Sequence, residues 1–379
     1  MGKSISGQKR NLKLIAGLRR SLAPPLHFSN IFLILLLSIA LFAAPLSAAP
    51  AIDETPAGDA SGKPNLSTVG LYLENDYFAG TDGGYTSGLK LSWSSAIQDV
   101  YPNVWPHRWL YPLIKWIPFE KAPDRQRNIT FSLGQNIFTP QDIESREVVK
   151  DDRPYAGITY VSLGFHNRMA REMDSVEVSA GLVGPASGAE ECQKTVHWVF
   201  NDIKPQGWDN QLKNEPVLGL VYEHKKKIAA PDTSGGFGYD VILNTGGGLG
   251  NALTYYNLGL LFRTGWNLPG DFGVMPIRPI SSFNSAVMNT NARMSSKIGV
   301  QLFVSMEGRA VLRNIFLDGN TFTNGPSVNK KPAVGDFMTG IAFSLGQGQL
   351  SFAYVTRSKE FDTQKKAEQF ASINLSCAY

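Results

Sequence analysis

From residue 66 onward, apolar and polar residues alternate in short runs, as in Leu89-Lys90-Leu91-Ser92-Trp93-Ser94. A period of two puts successive side chains on opposite faces of an extended strand. The pattern predicts about twelve strands. They lie near Ser67–Glu74, Thr86–Ser94, Asn128–Asn136, Gly157–Asn167, Ser175–Val183, Val217–Lys225, Phe237–Thr245, Leu253–Thr264, Ile298–Arg309, Val334–Leu345, Gln349–Arg357 and Ala371–Tyr379. Turn residues separate them at Gly346-Gln347-Gly348, Asp232–Gly236 and Gly246–Asn251. One stretch breaks the rhythm. Ala186–Phe200 follows Gly184-Pro185 and reads as a short helix, with Gln193, Val196, His197 and Phe200 along one side.

Alternation on this scale has two solutions, a soluble β-sandwich and a membrane barrel. The N-terminus favours the barrel. Lys3, Lys9, Arg10, Lys13, Arg19 and Arg20 precede an apolar run from Ile31 to Phe42, and small residues follow. That is the layout of a secretory signal peptide over residues 1–49, with cleavage between Ala48 and Ala51. The run is shorter than the roughly 20 residues a spanning helix needs. Beyond residue 50 no long apolar stretch occurs. A chain without spanning helices crosses a bilayer only as a closed barrel, because every backbone polar group must be paired there. The expectation is an all-β, transmembrane antiparallel barrel over residues 66–379, after a small, polar, Pro-rich leader at 50–65.

An even strand count and aromatics near strand ends fit that expectation. The aromatics are Tyr77, Phe78, Trp93, Phe138, Tyr155, Phe165, Trp266, Phe361 and the terminal Tyr379. With both termini on the periplasmic side, the outward connections include 75–85, 138–156, 184–216, 310–333 and 358–370. The predicted helix then sits in an extracellular loop. Two periplasmic connections are long, 95–127 and 265–297, and the first carries Trp105, Trp109 and Trp116.

Composition narrows the chemistry. A net charge of +4 over 379 residues gives no footprint for nucleic acid. The two cysteines, Cys192 and Cys377, exclude a disulfide scaffold and a thiolate metal cluster. Three groups of residues have catalytic potential. Glu74-Asn75-Asp76 closes the first strand and Tyr85-Thr86-Ser87-Gly88 opens the second, and their oxygens suit a hard cation such as Ca²⁺ as well as a plain turn. His197 stands on the predicted helix as a general base or as a packed histidine. Asp202 follows it, before Pro205-Gln206-Gly207-Trp208-Asp209-Asn210-Gln211, as a carboxylate to orient the histidine or bind metal. Arg153, in Asp152-Arg153-Pro154-Tyr155, is open to a lipid phosphate or to a neighbouring aspartate, and Leu317-Asp318-Gly319-Asn320 is turn-like.

In this order, ENDYFAGTDGGYTSG (74–88), QNIFTP (135–140), DDRPYAG (151–157), GPASGAEECQKTVHWVF (184–200), PQGWDNQL (205–212) and LDGNTF (317–322) resemble the outer-membrane lipid A 3′-O-deacylases, the LpxR-type family. The resemblance covers about residues 66–379. It implies a twelve-stranded barrel with its active site near the extracellular mouth. It implies calcium-dependent hydrolysis of the ester that holds the 3′ acyloxyacyl group of lipid A in lipopolysaccharide. The family's Asn-Asp pair falls on Asn75 and Asp76, its hydroxyl residue on Thr86 and its histidine on His197. Its glutamate corresponds to the shorter Asp202 after a one-residue gap, and Asp76, Asn75 and Asp202 are the implied metal ligands. A serine-dependent outer-membrane phospholipase A through Ser87 or Ser187, or a non-enzymatic channel or adhesin barrel, are the competing readings.

Overall fold

The structure is a computed structural model and describes residues 66–79, 83–97, 125–230, 236–277 and 298–379. The signal-peptide and leader readings lie outside the described residues. So do most of the 95–127 connection and the second half of 265–297.

The described residues form twelve strands: β1 (Thr68–Asn75), β2 (Gly84–Ser94), β3 (Gln126–Thr139), β4 (Ala156–Arg168), β5 (Glu172–Val183), β6 (Glu215–Ala229), β7 (Phe237–Gly250), β8 (Leu253–Trp266), β9 (Gly299–Asn314), β10 (Ala333–Leu345), β11 (Gly348–Arg357) and β12 (Glu368–Ala378). Each pairs antiparallel with its sequence neighbours. The barrel closes where β1 meets β12, from Thr68↔Ala378 to Asn75↔Ala371. Closure removes the unpaired edges that a bilayer would not tolerate.

Side-chain polarity settles which kind of β-protein this is. The faces turned into the lumen bury Lys90, Asn128, Ser132, Glu177, Lys225, Asn244, Asn257, Arg263 and Glu307. The outward faces expose Leu89, Leu91, Phe131, Leu133, Val161, Leu220, Leu258, Leu260, Leu302 and Met306. A soluble sandwich buries the second set and exposes the first. Apolar-out, polar-in alternation is the arrangement of a barrel solvated by lipid.

The lumen is filled. Arg309 and Arg357 both ion-pair with Asp336, at 2.9 Å each. Arg263 binds Asp240 at 2.5 Å and also pairs with Asp271. Asp271 belongs to residues 267–277, which leave the periplasmic end of β8 and fold up into the barrel. Phe272 and Met275 pack there with Tyr160, Phe303 and Met338. Toward the outer end, Phe138 stacks on Phe316 with centroids 4.2 Å apart, and Tyr85 bridges Phe138 and Phe370. This first half of the 265–297 connection is therefore an internal plug.

Three expectations are corrected. Gly246–Asn251 is not a turn: β7 runs to Gly250 and pairs with β6 as far as Gly219↔Gly250, leaving only Asn251-Ala252 between β7 and β8. Glycine is a weak strand former, but here neighbouring backbone and the Tyr255 ring occupy the space a Cβ would need. The aromatics do not all form girdles. Phe138, Tyr155, Phe165 and Phe361 are buried. Among the described residues, the girdle of the periplasmic end includes Trp93 hydrogen-bonded to the Tyr379 hydroxyl, the edge-on pair Phe237–Trp266 and the tilted pair Tyr239–Phe262. Thirdly, the expected helix begins at Ala189, after a 3-10 turn at Pro185–Ser187 and a left-handed Gly188, and is α1 (Ala189–Phe200). Its buried residues are Ala189, Gln193 and His197, whereas Val196 is exposed. Both cysteines are free thiols, Cys192 on α1 and Cys377 in β12.

Candidate active site on the outer wall of the barrel

The wall side of the site is built where β1 turns into β2. In β1, Tyr72 and Glu74 point into the lumen, so Asn75 points out. Its Oδ1 accepts the Tyr77 N–H at 2.8 Å, which starts the turn. Asp76 is buried, and its Oδ2 accepts the Gly83 N–H at 2.7 Å, holding the far side of the loop. The Asp76 N–H donates to the Thr86 carbonyl at 3.2 Å.

Thr86 is placed by an irregularity. Tyr85 pairs with Phe138 and Ser87 with Ile137, so Thr86 is the extra residue of a β-bulge. The bulge lets Tyr85 point into the lumen while Thr86 and Ser87 stay on the outward face. There the Thr86 hydroxyl meets that of Thr139 at 2.7 Å. Regular alternation would have sent Thr86 inward.

Helix α1 is seated on the same outward face. Ile137, two residues from Thr139 along β3, packs with Ala189 of the helix and with Ile143, Tyr155 and Trp208. Gln135 Nε2 and the Thr159 hydroxyl both donate to the Ser187 carbonyl, at 2.9 and 2.7 Å. Gly157 makes the close approach possible, because a Cβ there would lie 2.0 Å from that of Ala189. The loops on either side finish the seat. The Trp208 indole N–H donates to Gln193 Oε1 at 2.8 Å, Tyr155 O–H to the Ile143 carbonyl at 2.9 Å, and Arg146 to Gln206 Oε1 at 2.8 Å.

His197 lies on the buried side of the last turn of α1. Its Nδ1 lies 2.6 Å from the Ile203 carbonyl. A carbonyl only accepts, so Nδ1 carries the proton and Nε2 is left with a lone pair. Asp202 does not make this bond. Its Oδ1 accepts the Ile203 N–H at 2.7 Å, and its own N–H donates to the His197 carbonyl at 2.8 Å. Asp202 shapes the turn whose next residue orients the imidazole. One helical turn before His197, the buried Gln193 keeps its Nε2 unpartnered among the described residues. β3 links the two groups of candidate residues: Thr139 touches Thr86 beside Asn75 and Asp76, and Ile137 packs against Ala189 at the start of the helix whose last turn carries His197. Thr139, Gln193 and the Ile203 carbonyl were not singled out for roles by sequence reasoning. Only the position of Gln193, four residues before His197 on one helical face, gave a signal.

The donors at the strand end are a carboxylate, an amide oxygen and hydroxyls, the set that suits a hard cation. Among the described residues no group of three or more His, Cys, Asp or Glu gathers as a metal cluster. A cation here would rest on Asp76 with neutral oxygens around it.

The other two motifs build the mouth. Arg153 is buried beneath the outer loops and ion-pairs with Glu360, with the Phe138 and Phe361 rings on either side. Burial works against its charge, but Glu368 and Glu360 more than compensate and hold the guanidinium pKa above its usual value. Burial likewise raises the Glu360 carboxyl, and Arg153 and Arg357 overcome it, leaving a pKa of about 2. A cavity of about 140 Å³ lies between these loops, lined by Val148, Lys150, Arg153, Tyr155, Asn210 and Pro326 among others. It is separate from the His197 face. Asp318 closes the single turn α2 (Ile315–Asp318) by accepting the Asn314 N–H at 2.8 Å. Asn320 clamps both backbone groups of Lys213 at 2.9 Å.

The family profile described as outer membrane protein LpxR matches residues 33–379. Among solved structures, LpxR from Salmonella typhimurium superposes with a TM-score of 0.66 at 17% identity, over 82% of this chain and 99% of that one. The β domain of the Bordetella autotransporter Brka superposes with a TM-score of 0.38 at 8% identity, over 82% of this chain and 97% of that one. The translocator domain of NalP from Neisseria meningitidis gives 0.32 at 11% identity, over 90% and 95%. No curated protein matches the chain.

Proposed function

The chain belongs to the LpxR family of outer membrane proteins, and from that premise we propose that it hydrolyses the ester holding the 3′ acyloxyacyl group of lipid A. The observation that carries this reading is the Nδ1–Ile203 hydrogen bond, which leaves His197 Nε2 with a free lone pair on the buried side of α1. That helix is seated just above Leu133 and Val161, on the outside of the barrel. A lipid of the outer leaflet reaches this place sideways, without entering the lumen.

In the reaction, Nε2 accepts a proton from water as its oxygen attacks the ester carbonyl carbon. The new C–O bond gives a tetrahedral oxyanion. The bond to the sugar 3′ oxygen then breaks, and the imidazolium returns its proton to that oxygen. The Ile203 carbonyl keeps the ring oriented and stabilises the transient positive charge. The unpartnered Gln193 Nε2 is a donor beside the base. We assign calcium to Asp76, with the oxygens of Asn75 and Thr86, and a lesser part to Asp202, whose carboxylate is engaged in its own turn. A Ca²⁺ ion bound there supplies Lewis-acid polarisation of the ester carbonyl.

The competing readings find less support. The Ser187 hydroxyl donates to the Gly184 carbonyl at 2.6 Å, inside the 3-10 turn, and is not paired with His197. The plug and the aromatic layer oppose an open channel. The test is mass spectrometry of lipid A incubated with the detergent-solubilised protein, with calcium or with EDTA. Loss of one acyloxyacyl group in calcium alone is expected. Unchanged lipid A in both samples, with a folded barrel, would sink the proposal.

A further inference from the structure

Glu74 lies on the lumen side of the wall, directly behind the candidate site, and is 2% exposed. Two parts of the chain meet on its carboxylate. Oε2 accepts the Tyr85 hydroxyl at 2.8 Å. Oε1 accepts the backbone N–H of Ile277 at 2.7 Å, from a residue 203 positions away. We propose that Glu74 is a positioning residue: pinned from inside by Tyr85 and by the plug segment 267–277, it fixes the outward strand end that carries Asn75, Asp76 and Thr86.

Thr86 faces outward only because Tyr85 faces inward, out of alternation. Tyr85 is held inward by its bond to Glu74 and by Asn136 Nδ2, which donates to its hydroxyl at 2.8 Å. On the other strand, Glu74 immediately precedes Asn75 and Asp76, and the Asp76 N–H is itself bonded to the Thr86 carbonyl. One buried carboxylate therefore ties together the two strand ends that present all three wall residues.

The plug is anchored well enough to act as a brace. It starts at the periplasmic end, where the Asn267 N–H donates to the Gly236 carbonyl at 3.1 Å. Arg263 holds Asp271, and also donates to the Asp271 and Pro269 carbonyls at 3.1 and 3.4 Å. Phe272, Met275 and Ile277 are buried. A connection from the far end of the barrel thus braces the back of a site that opens on its outer surface.

The kinetic part of this proposal rests on the deacylase reading; the geometric part does not. The test compares Glu74→Leu, which abolishes both bonds, with Glu74→Gln, which retains an acceptor for Ile277 and a polar partner for Tyr85. The full-length protein is refolded in detergent, and the folded fraction is read from its heat-dependent gel mobility. Hydrogen–deuterium exchange follows the peptides covering residues 74–88, and kinetics on lipid A with calcium give kcat and KM. Glu74→Leu is expected to speed exchange in that segment about tenfold and to lower kcat roughly 30-fold with KM within about twofold, the pattern of lost transition-state alignment. Glu74→Gln should restore most of both. If Glu74→Leu does not fold, Ile277→Pro, which removes a single donor, takes its place. Wild-type exchange in 74–88, or wild-type kcat from a folded variant, would overturn the proposal. If the wild-type protein itself leaves lipid A intact, the deacylase reading falls alone, and the exchange data still decide the clamp.

Discussion

The two ends of this barrel are built on different principles. At the periplasmic end several strands are joined by minimal turns: Met169-Ala170-Arg171 between β4 and β5, and Gly346-Gln347 between β10 and β11. These turns close on neighbouring residues, as when the Met169 N–H donates to Glu172 at 2.7 Å. At the outer end, apart from the two-residue Asn251-Ala252 turn between β7 and β8, the connections are longer and are held by partners far away in sequence. Asn320 clamps Lys213, Glu215 accepts the Thr321 N–H, and Arg153 reaches Glu360. Local turn chemistry suffices to reverse a chain. Placing a base on a helix against a particular patch of wall requires bonds between loops, and the candidate site lies where those bonds are.

Breaking the site itself should have the largest effect. His197→Ala removes the base while leaving the helix seat of Ala189 and Gln193 intact. Activity should fall about 10³-fold, with strand circular dichroism and gel mobility unchanged. Retained activity would remove the general base from the mechanism. Next comes the seat. Gly157→Leu drives a side chain into Ala189 and should push α1 off the wall. A displacement of about 1 Å costs roughly 100-fold in rate, so kcat should drop by that order in a barrel that still folds. Wild-type kcat would mean that the helix does not position the histidine.

Acid probes the ion pair that binds the outer loops. The Glu360 carboxyl titrates at about 2 in the fold, against an ordinary value of 4.5. A depressed carboxyl contributes stability that is present above the unfolded value and is lost as pH falls toward the folded one. Protease resistance of the 358–367 loop should therefore hold from pH 7 to 5 and fall between about 4.5 and 2. Loss already at pH 6 would contradict this account. The smallest effect belongs to the other end. Gly346 sits at φ 53 with open space around it. Gly346→Ala should cost on the order of 1 kcal/mol in barrel stability and leave lipid A hydrolysis unchanged. A change in activity there would break the distinction between the two ends.

Much of the fold was legible because a strand between lipid and lumen writes its two environments into alternate residues. The twelve expected strands agree with the observed ones to within about five residues at each end, apart from the Gly246–Asn251 region. Glycines there read as a turn because the neighbouring strands that require them are not visible in a local window. The candidate chemistry was partly legible. Asn75, Asp76, Thr86 and His197 stand out by residue type and by the resemblance of their surroundings. Thr139 and the Ile203 carbonyl do not, since a threonine in a strand and a backbone oxygen carry no signal of their own.

What the sequence determined by itself is the period, and with it the barrel, the lipid-facing belt and the even closure, because burial acts on each residue where it stands. What only the tertiary structure decided is the side of the wall on which the candidate residues lie. That depends on one extra residue at Thr86, on the lumen bonds of Glu74, and on a helix brought to β3 and β4 by loops far away in the chain. Each is a contact across large sequence separation, and its geometry exists only once the barrel has closed.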